Sequence, residues 1–114
     1  MSRRTRSAAT GRREFAPIFA ALGDETRLSL VARLSEGTPR SIAQLTKGTR
    51  LTRQAVTKHL RVLEGARIVH SVRAGRESLF ELDPRPIRQV AEYAELVSAQ
   101  WDQALARLKL FVEG

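Results

Sequence analysis

The 114-residue sequence predicts a mainly α-helical domain that carries one β-hairpin. Three observations support this fold class. Apolar residues recur at helical spacing in five segments, and Gly, Asp, Thr or Pro stand at most of the segment boundaries. Residues 67–83 are instead rich in β-branched and aromatic side chains, which is typical of strands. The length suits one compact domain.

The chain is strongly basic, and its charge is concentrated in one third of the sequence. The net charge is +8, and residues 38–76 hold nine basic side chains against one acidic side chain. Residues 14–37 and 77–114 each hold more acidic than basic side chains. A run of charge commonly marks only a solvated face. An imbalance this large favours a face that binds phosphates.

Residues 1–13 are predicted to be a disordered basic arm that precedes a single domain of residues 14–114. The arm holds five Arg and no acidic residue, and its apolar residues have no period. The first helix is predicted to begin at Glu14 and to end at Gly23, since glycine commonly follows a helix end.

The next three helices have recognisable start signals. Asp24 caps a second helix that stops at Gly37, and a short third helix runs near 41–47. Thr52 caps a fourth helix that reaches about Gly65. Two short helices joined by a tight turn, with the polar helix second, form a helix-turn-helix.

The fourth helix separates an apolar side from a basic polar side. At 100° per residue, Val56, Leu60 and Leu63 share one side. The opposite arc holds side chains that can donate to phosphates or to base edges, with no acid before Glu64. The solvent-exposed side of an ordinary surface helix usually mixes acidic with basic residues. This polar arc, with the cap Thr52 before it, predicts contact with double-stranded DNA through Thr52, Arg53, Gln54, Thr57, Lys58 and Arg61.

Three further candidates for DNA contact have weaker support. His59 lies on the apolar side of the helix, which favours a partly buried, hydrogen-bonded histidine over a base reader. The hairpin within Arg67–Asp83, with its turn at 74–77, follows the helix-turn-helix as a wing. Contact of Arg73 and Arg76 with phosphate or the minor groove is favoured over plain solvation.

The last helix is predicted from about Arg85 to Val112, with Pro84 and Pro86 at its start, where proline is tolerated. Its apolar residues alternate at spacings of three and four, which is the seam of a coiled coil. Part of the seam must cover the domain's own core. The surplus, alongside the first helix, predicts a homodimer interface formed by Phe15, Ile18, Phe19, Val90, Ala94, Val97, Trp101, Leu105 and Leu108.

Three stretches together resemble ArsR-type winged-helix bacterial transcription regulators, over about residues 15–84. They are "LGDETRLSLVARL", "SIAQLTKGTRLTRQAVTKHLRVLEGARIV" and "AGRESLFELDP". The stretch "YAELVSAQWDQALARLKLFVE" resembles the last helix of a metal-independent branch.

The resemblance implies a dimeric α1-α2-α3-α4-β-β-α5 winged helix-turn-helix domain whose fourth helix lies in the major groove, with the hairpin as the wing. It also implies reading roles for Arg53, Gln54, Thr57 and Lys58, with His59 as the adjacent histidine. Arg50 departs from the pattern, because similar sequences often have a small residue or Gly at that turn position.

Several function classes are excluded or disfavoured. The chain has no Cys and only two His, so thiolate metal sites are impossible and neither a metal nor another cofactor is expected. No nucleophile motif or carboxylate pair stands out, so the protein is not expected to be an enzyme. No apolar run of about 18 residues is present, and no apolar segment follows the first arginines. We therefore expect a cytoplasmic protein with no membrane partner.

The sequence as a whole predicts a homodimeric, sequence-specific regulator of transcription that binds double-stranded DNA, acting as a repressor. The alternative is a winged-helix protein-interaction module, which would bind a partner protein through the hairpin or the last helix and bind DNA weakly or without specificity. The local positive charge argues against this alternative. A small-molecule effector is not identified by any residue pattern.

Overall fold

The fold is a mainly helical domain with a small antiparallel sheet, which confirms the predicted winged helix-turn-helix class. A computed structural model describes residues 8–113, and the side chains of residues 11–113. The elements, in chain order, are α1 Ala8–Leu22, α2 Glu25–Leu34, β1 Arg40–Ser41, α3 Ile42–Thr46, α4 Arg53–Gly65, β2 Val69–Ala74, β3 Glu77–Leu82 and α5 Pro84–Glu113.

The wing is part of a three-stranded sheet with strand order β1-β3-β2. Strands β2 and β3 form the predicted hairpin, and Gly75 (φ 64°) provides the positive φ that a two-residue hairpin turn needs at its first position. Strand β1 was not predicted. It has only two residues, which is too short for any alternation, and it exists because Arg40 pairs with Phe80 of β3.

Helix α1 begins earlier than the sequence predicts. Residues 8–13, assigned above to a disordered arm, are helical and form the first turns of α1, while residues 1–7 of that arm lie outside the described part. The reason is tertiary packing. Gly11 lies so close to α5 that a Cβ atom there would be 2.4 Å from Cε1 of Tyr93, and the Tyr93 and Phe15 rings lie 5.4 Å apart.

The predicted helix caps are confirmed. The Asp24 carboxylate accepts a hydrogen bond from the N–H of Arg27 (3.0 Å), and the Thr52 hydroxyl accepts one from the N–H of Ala55 (3.1 Å). Helix α3 has a reciprocal capping box between Ser41 and Gln44. These caps fix where each helix of the helix-turn-helix begins.

Arg50 fits into the α3–α4 turn without backbone strain. Gly48 takes the left-handed conformation (φ 85°), and Arg50 is not among the positive-φ residues of the described chain. The Thr49 hydroxyl donates to the Thr46 carbonyl (2.7 Å) and accepts from the N–H of Leu51 (3.1 Å). The turn is therefore held by Gly48 and Thr49, and Arg50 points its charge to solvent.

The core is continuous across all five helices and the sheet. Its fully buried centre is formed by Leu45, Val56, Leu60, Leu63 and Ile68. Helix α5 joins this core only through its first half, where Val90 is buried and Ile87 and Tyr93 pack at the edge. The second half of α5 extends away from the core.

Candidate nucleic-acid interface

Helix α4 is anchored on one side and exposed on the other, as its sequence predicts. Val56, Leu60 and Leu63 have no accessible surface. Arg53, Gln54 and Lys58 are exposed, as are Arg61 and Thr52. The packing of one side therefore leaves the other side, with its donors, facing solvent.

An open groove of about 700 Å³ runs along the start of α4. Two cationic side chains, one amide and two hydroxyls stand around it. Neither an acidic nor a large apolar side chain contributes to its wall, which is formed by Thr52, Arg53, Gln54, Ala55, Thr57 and Lys58. A surface of this chemistry suits an anionic ligand that also displays hydrogen-bonding edges.

The two hydroxyls of this groove are already used within the helix. Thr57 donates to the Arg53 carbonyl (2.7 Å), and Thr52 accepts from the N–H of Ala55. Thr57 keeps only acceptor capacity and its methyl group, whereas the Thr52 hydroxyl can still donate its own proton. The long donors Arg53, Gln54 and Lys58 are thus the strongest candidates for base or phosphate contact.

Arg61, another predicted DNA contact, is engaged elsewhere. Its Nη1 lies 2.9 Å from Oε1 of Glu64, and the other oxygen of Glu64 is 3.5 Å from the Ser71 hydroxyl of β2. The pair is exposed, so its net contribution to stability is small. It nevertheless lowers the positive charge that the end of α4 presents.

His59 lies where the helical wheel predicts, half-buried on the inner side of α4. Its Nδ1 is 3.2 Å from Nη1 of Arg27 and 3.9 Å from Oδ2 of Asp24. The pKa of Asp24 is lowered, first by the hydrogen bond from the Arg27 N–H and then by the nearby positive charge. Sequence reasoning missed Arg27, because no local pattern links residues 32 positions apart.

The wing presents two of the predicted cations. Arg73, near the end of β2, and Arg76, in the hairpin turn, are both exposed. On the same ribbon, His70 and Glu81 face each other across the strands, with Nε2 and Oε1 2.8 Å apart. The tip of the wing therefore presents two cations, and a histidine–glutamate pair lies nearer its base.

The residues of the predicted dimer interface differ in their exposure. Phe15, Ile18 and Val90 are buried in the protomer's own core, with no more than 8% of their surface exposed, so they leave little surface for a second copy. A helical period alone cannot tell such an internal contact from an external one. Phe19, Ala94, Val97, Trp101, Leu105 and Leu108 are exposed or half-buried and remain available.

The described residues lack two other kinds of feature. Among residues 8–113 there is no group of three or more His, Cys, Asp or Glu side chains placed to hold a metal ion. No helix in the same stretch is long and apolar enough to cross a bilayer.

Comparison with known proteins assigns this architecture to transcriptional regulators. Residues 22–72, which run from the end of α1 into β2, match a family model described as a helix-turn-helix domain. The HTH-type transcriptional regulator Rv2034 of Mycobacterium tuberculosis is 33% identical over 96 residues, which cover 74% of this chain and 89% of that protein.

Two further proteins agree. The uncharacterized HTH-type transcriptional regulator YuzN of Bacillus subtilis is 37% identical over 79 residues, covering 64% of this chain and 86% of that protein. The solved structure of an ArsR-like transcriptional regulator from Rhodococcus sp. RHA1 superposes with a TM-score of 0.78 at 34% identity, over 89% of this chain and 94% of that one.

Proposed function

The chain belongs to the ArsR-type winged helix-turn-helix transcriptional regulators, and we propose that it is a homodimeric repressor that inserts α4 into the major groove of double-stranded DNA. Membership of this family makes it a DNA-binding regulator and places it in a non-enzymatic class. The observation that carries the finer proposal is the exposed basic side of α4, held outward by a fully buried opposite side.

The geometry of α4 suits the major groove. That groove is about 12 Å wide and admits one α-helix with its side chains. Arg53 can pair with the two acceptors of guanine, and Gln54 can pair with adenine. Lys58 lies one helical turn after Gln54 on the same side of α4 and reaches backbone phosphates. Sequence choice thus comes from the first turn of α4, and part of the affinity comes from the turn after it.

The wing supplies a second set of phosphate contacts. Arg73 and Arg76 lie at the tip of a hairpin that directly follows α4 in the chain. In the complex they reach a phosphate or the minor groove beside the site occupied by α4. His59 and Arg61 have partners within the protein, so we assign them a smaller share of direct contact.

The dimer is proposed from surface that one protomer leaves uncovered. The radius of gyration is 18.5 Å, whereas a compact chain of this length has a value of about 13 Å. The outer half of α5 extends beyond the core residues of this helix, and there Trp101, Leu105 and Leu108 are each more than half exposed. A two-fold dimer through this surface, with Phe19 at its edge, suits the paired half-sites of an operator.

Repression, a cytoplasmic location and independence from metals complete the proposal. An operator-bound dimer represses by occupying promoter DNA, which needs no further domain. The cytoplasm is where bacterial promoters lie. Metal independence is supported by a chain with no Cys and two His that lie on different elements, α4 and β2.

The test is selection of a preferred duplex from a random library by the wild-type protein, followed by gel shifts with single variants. We expect Arg53→Ala and Gln54→Ala each to lose about 1–3 kcal/mol of discrimination at one base position. Lys109→Ala, an exposed cation on the far end of α5, is the matched control and should bind as wild type does. Absence of any preferred duplex would favour the protein-interaction alternative.

A further inference from the structure

We propose that His59 is a positioning residue, through which Arg27 fixes the orientation of α4 on the domain. The inference rests on the proposed function, because it assigns an indirect role in DNA recognition to a side chain that α4 turns inward. It concerns three elements that meet at one point: the end of α1, the start of α2 and the middle of α4.

Two of the three guanidinium nitrogens of Arg27 contact the end of α1. Its Nε donates to the Ala21 carbonyl at 2.6 Å, and its Nη2 lies 3.5 Å from the Ala20 carbonyl. Both carbonyls belong to the last turn of α1, where the regular helical hydrogen bonds end; the Ala20 carbonyl also accepts from the N–H of Gly23 (3.2 Å). The Arg27 N–H also donates to the Asp24 cap of α2. The guanidinium therefore ties the end of α1 to the start of α2.

The third guanidinium nitrogen, Nη1, makes the hydrogen bond to α4. Nη1 of Arg27 lies 3.2 Å from Nδ1 of His59. Arginine has donors only, so Nδ1 must accept, and the neutral ring then carries its proton on Nε2. Asp24 is 3.9 Å from the same nitrogen, beyond hydrogen-bonding distance. A single directional bond therefore links His59 to the rigid α1–α2 corner.

The buried apolar side of α4 is an anchor without direction, and among the described residues the other side-chain hydrogen bond from α4 to another element, from the Ser71 hydroxyl to Glu64, is long at 3.5 Å and exposed. Val56, Leu60 and Leu63 hold the helix by apolar burial, which is strong but non-directional. A rotation of α4 by about 10° moves atoms on its outer surface, about 5–6 Å from the axis, by about 1 Å. A shift of that size degrades a bidentate contact between Arg53 and a base. The Arg27–His59 bond opposes this rotation.

The surroundings of His59 agree with an indirect role. His59 does not line the groove that Arg53, Gln54 and Lys58 surround. Only about a quarter of its side chain is accessible, at 23%. A direct reader and a positioning residue both weaken binding when they are replaced. They differ in whether the loss depends on Arg27.

The experiment is a double-mutant cycle measured on a duplex that the wild-type protein selects. Arg27→Met keeps the aliphatic stem and removes the donors, and His59→Phe keeps a ring and removes the acceptor. We expect His59→Phe to weaken specific binding about tenfold in the wild-type background and less than twofold in the Arg27→Met background. His59→Asn, whose oxygen can replace Nδ1 as acceptor, should stay within about threefold of wild type.

Each other outcome counts against the inference. An equal loss from His59→Phe in both backgrounds would mean direct DNA contact, and no loss would mean no role. Circular dichroism verifies that each variant folds. If Arg27→Met unfolds, Arg27→Gln replaces it in the cycle, because glutamine keeps a donor near the position of Nε and has no Nη1 atom to reach His59. A wild-type protein that selects no duplex overturns the proposed function itself, whereas wild-type selection with an additive cycle overturns only the role of His59.

Discussion

Arg67 adopts a backbone conformation that usually favours glycine. Among the described residues it is the non-glycine residue with positive φ, at 64°. Its N–H donates to the Glu64 carbonyl (2.9 Å) and the N–H of Ile68 donates to the Leu63 carbonyl (3.0 Å), which is the Schellman ending of a helix. Leu63 and Ile68 are fully buried, so the motif joins α4 to the core just before the wing begins.

Arg67→Gly should therefore raise the free energy of unfolding. An L-residue in the left-handed region costs roughly 1–2 kcal/mol, and the greater freedom of an unfolded glycine offsets about 0.5–1 kcal/mol of that. We expect a net gain of about 0.5–1 kcal/mol in urea unfolding. Arg73→Gly, which removes the same charge from an ordinary strand position, is the control and should lower stability. Equal losses from both variants would contradict this account of Arg67.

Asp83 provides a second prediction at this scale. Arg85 donates to its carboxylate from both side chain (2.7 Å) and backbone (3.0 Å), and these bonds lower the pKa of Asp83 to about 2. A lowered pKa stabilises the fold above the ordinary value of 3.8, and that contribution is lost as pH falls towards 2. Asp83→Asn should flatten the stability profile between pH 4 and pH 2. Glu77→Gln is the control. If Asp83→Asn leaves the fall in stability between pH 4 and pH 2 unchanged, Asp83 contributes nothing to it.

At the scale of elements, the sequence predicts what local chemistry determines. The start of α4 was predicted because Thr52 is a cap within one turn of the residues it serves. The start of α1 was not, because it depends on contact between Gly11 and Tyr93, which are far apart in the sequence. His59 was placed correctly on the inner side of α4. Its partner Arg27 could not be found, since their contact depends on the tertiary fold.

The cap of α4 serves both stability and DNA binding, and substitutions can separate the two. Thr52→Ala should cost about 1 kcal/mol of stability, because the hydrogen bond to the Ala55 N–H is lost, and should also weaken DNA binding. Thr52→Asp keeps a good cap and should preserve stability. Its negative charge at the groove should still weaken binding to phosphate. Thermal melts and gel shifts on the same samples test this, and full DNA affinity in the Asp variant would place Thr52 away from the phosphates.

At the scale of the whole molecule, the charge pattern predicts a strong dependence on salt. The basic third, residues 38–76, includes α4 and the tip of the wing, whereas residues 77–114 carry a net negative charge. If a dimer places six to ten basic side chains on phosphates, the slope of log affinity against log salt should be roughly −5 to −9. Titration of a selected duplex between low and moderate salt measures it. A slope near zero would mean that the basic third does not face DNA.

In the proposed dimer the outer half of α5 forms the interface, and Trp101 is its most informative residue. Trp101 is 63% exposed in the protomer, so it is not part of the protomer's own core. We expect Trp101→Ala to leave the protomer folded and to weaken the dimer by at least about 2 kcal/mol, or roughly thirtyfold, as for a central interface residue. Leu110→Ala is the matched control, because Leu110 is 70% exposed but lies about 180° from Trp101 around the helix.

Analytical ultracentrifugation across micromolar dilution measures the dimer dissociation constant of both variants. DNA binding by the Trp101→Ala variant should weaken along with its dimerisation. If Trp101→Ala stays as dimeric as wild type, Trp101 lies outside the interface, and the proposal that Leu105 and Leu108 form its centre fails with it.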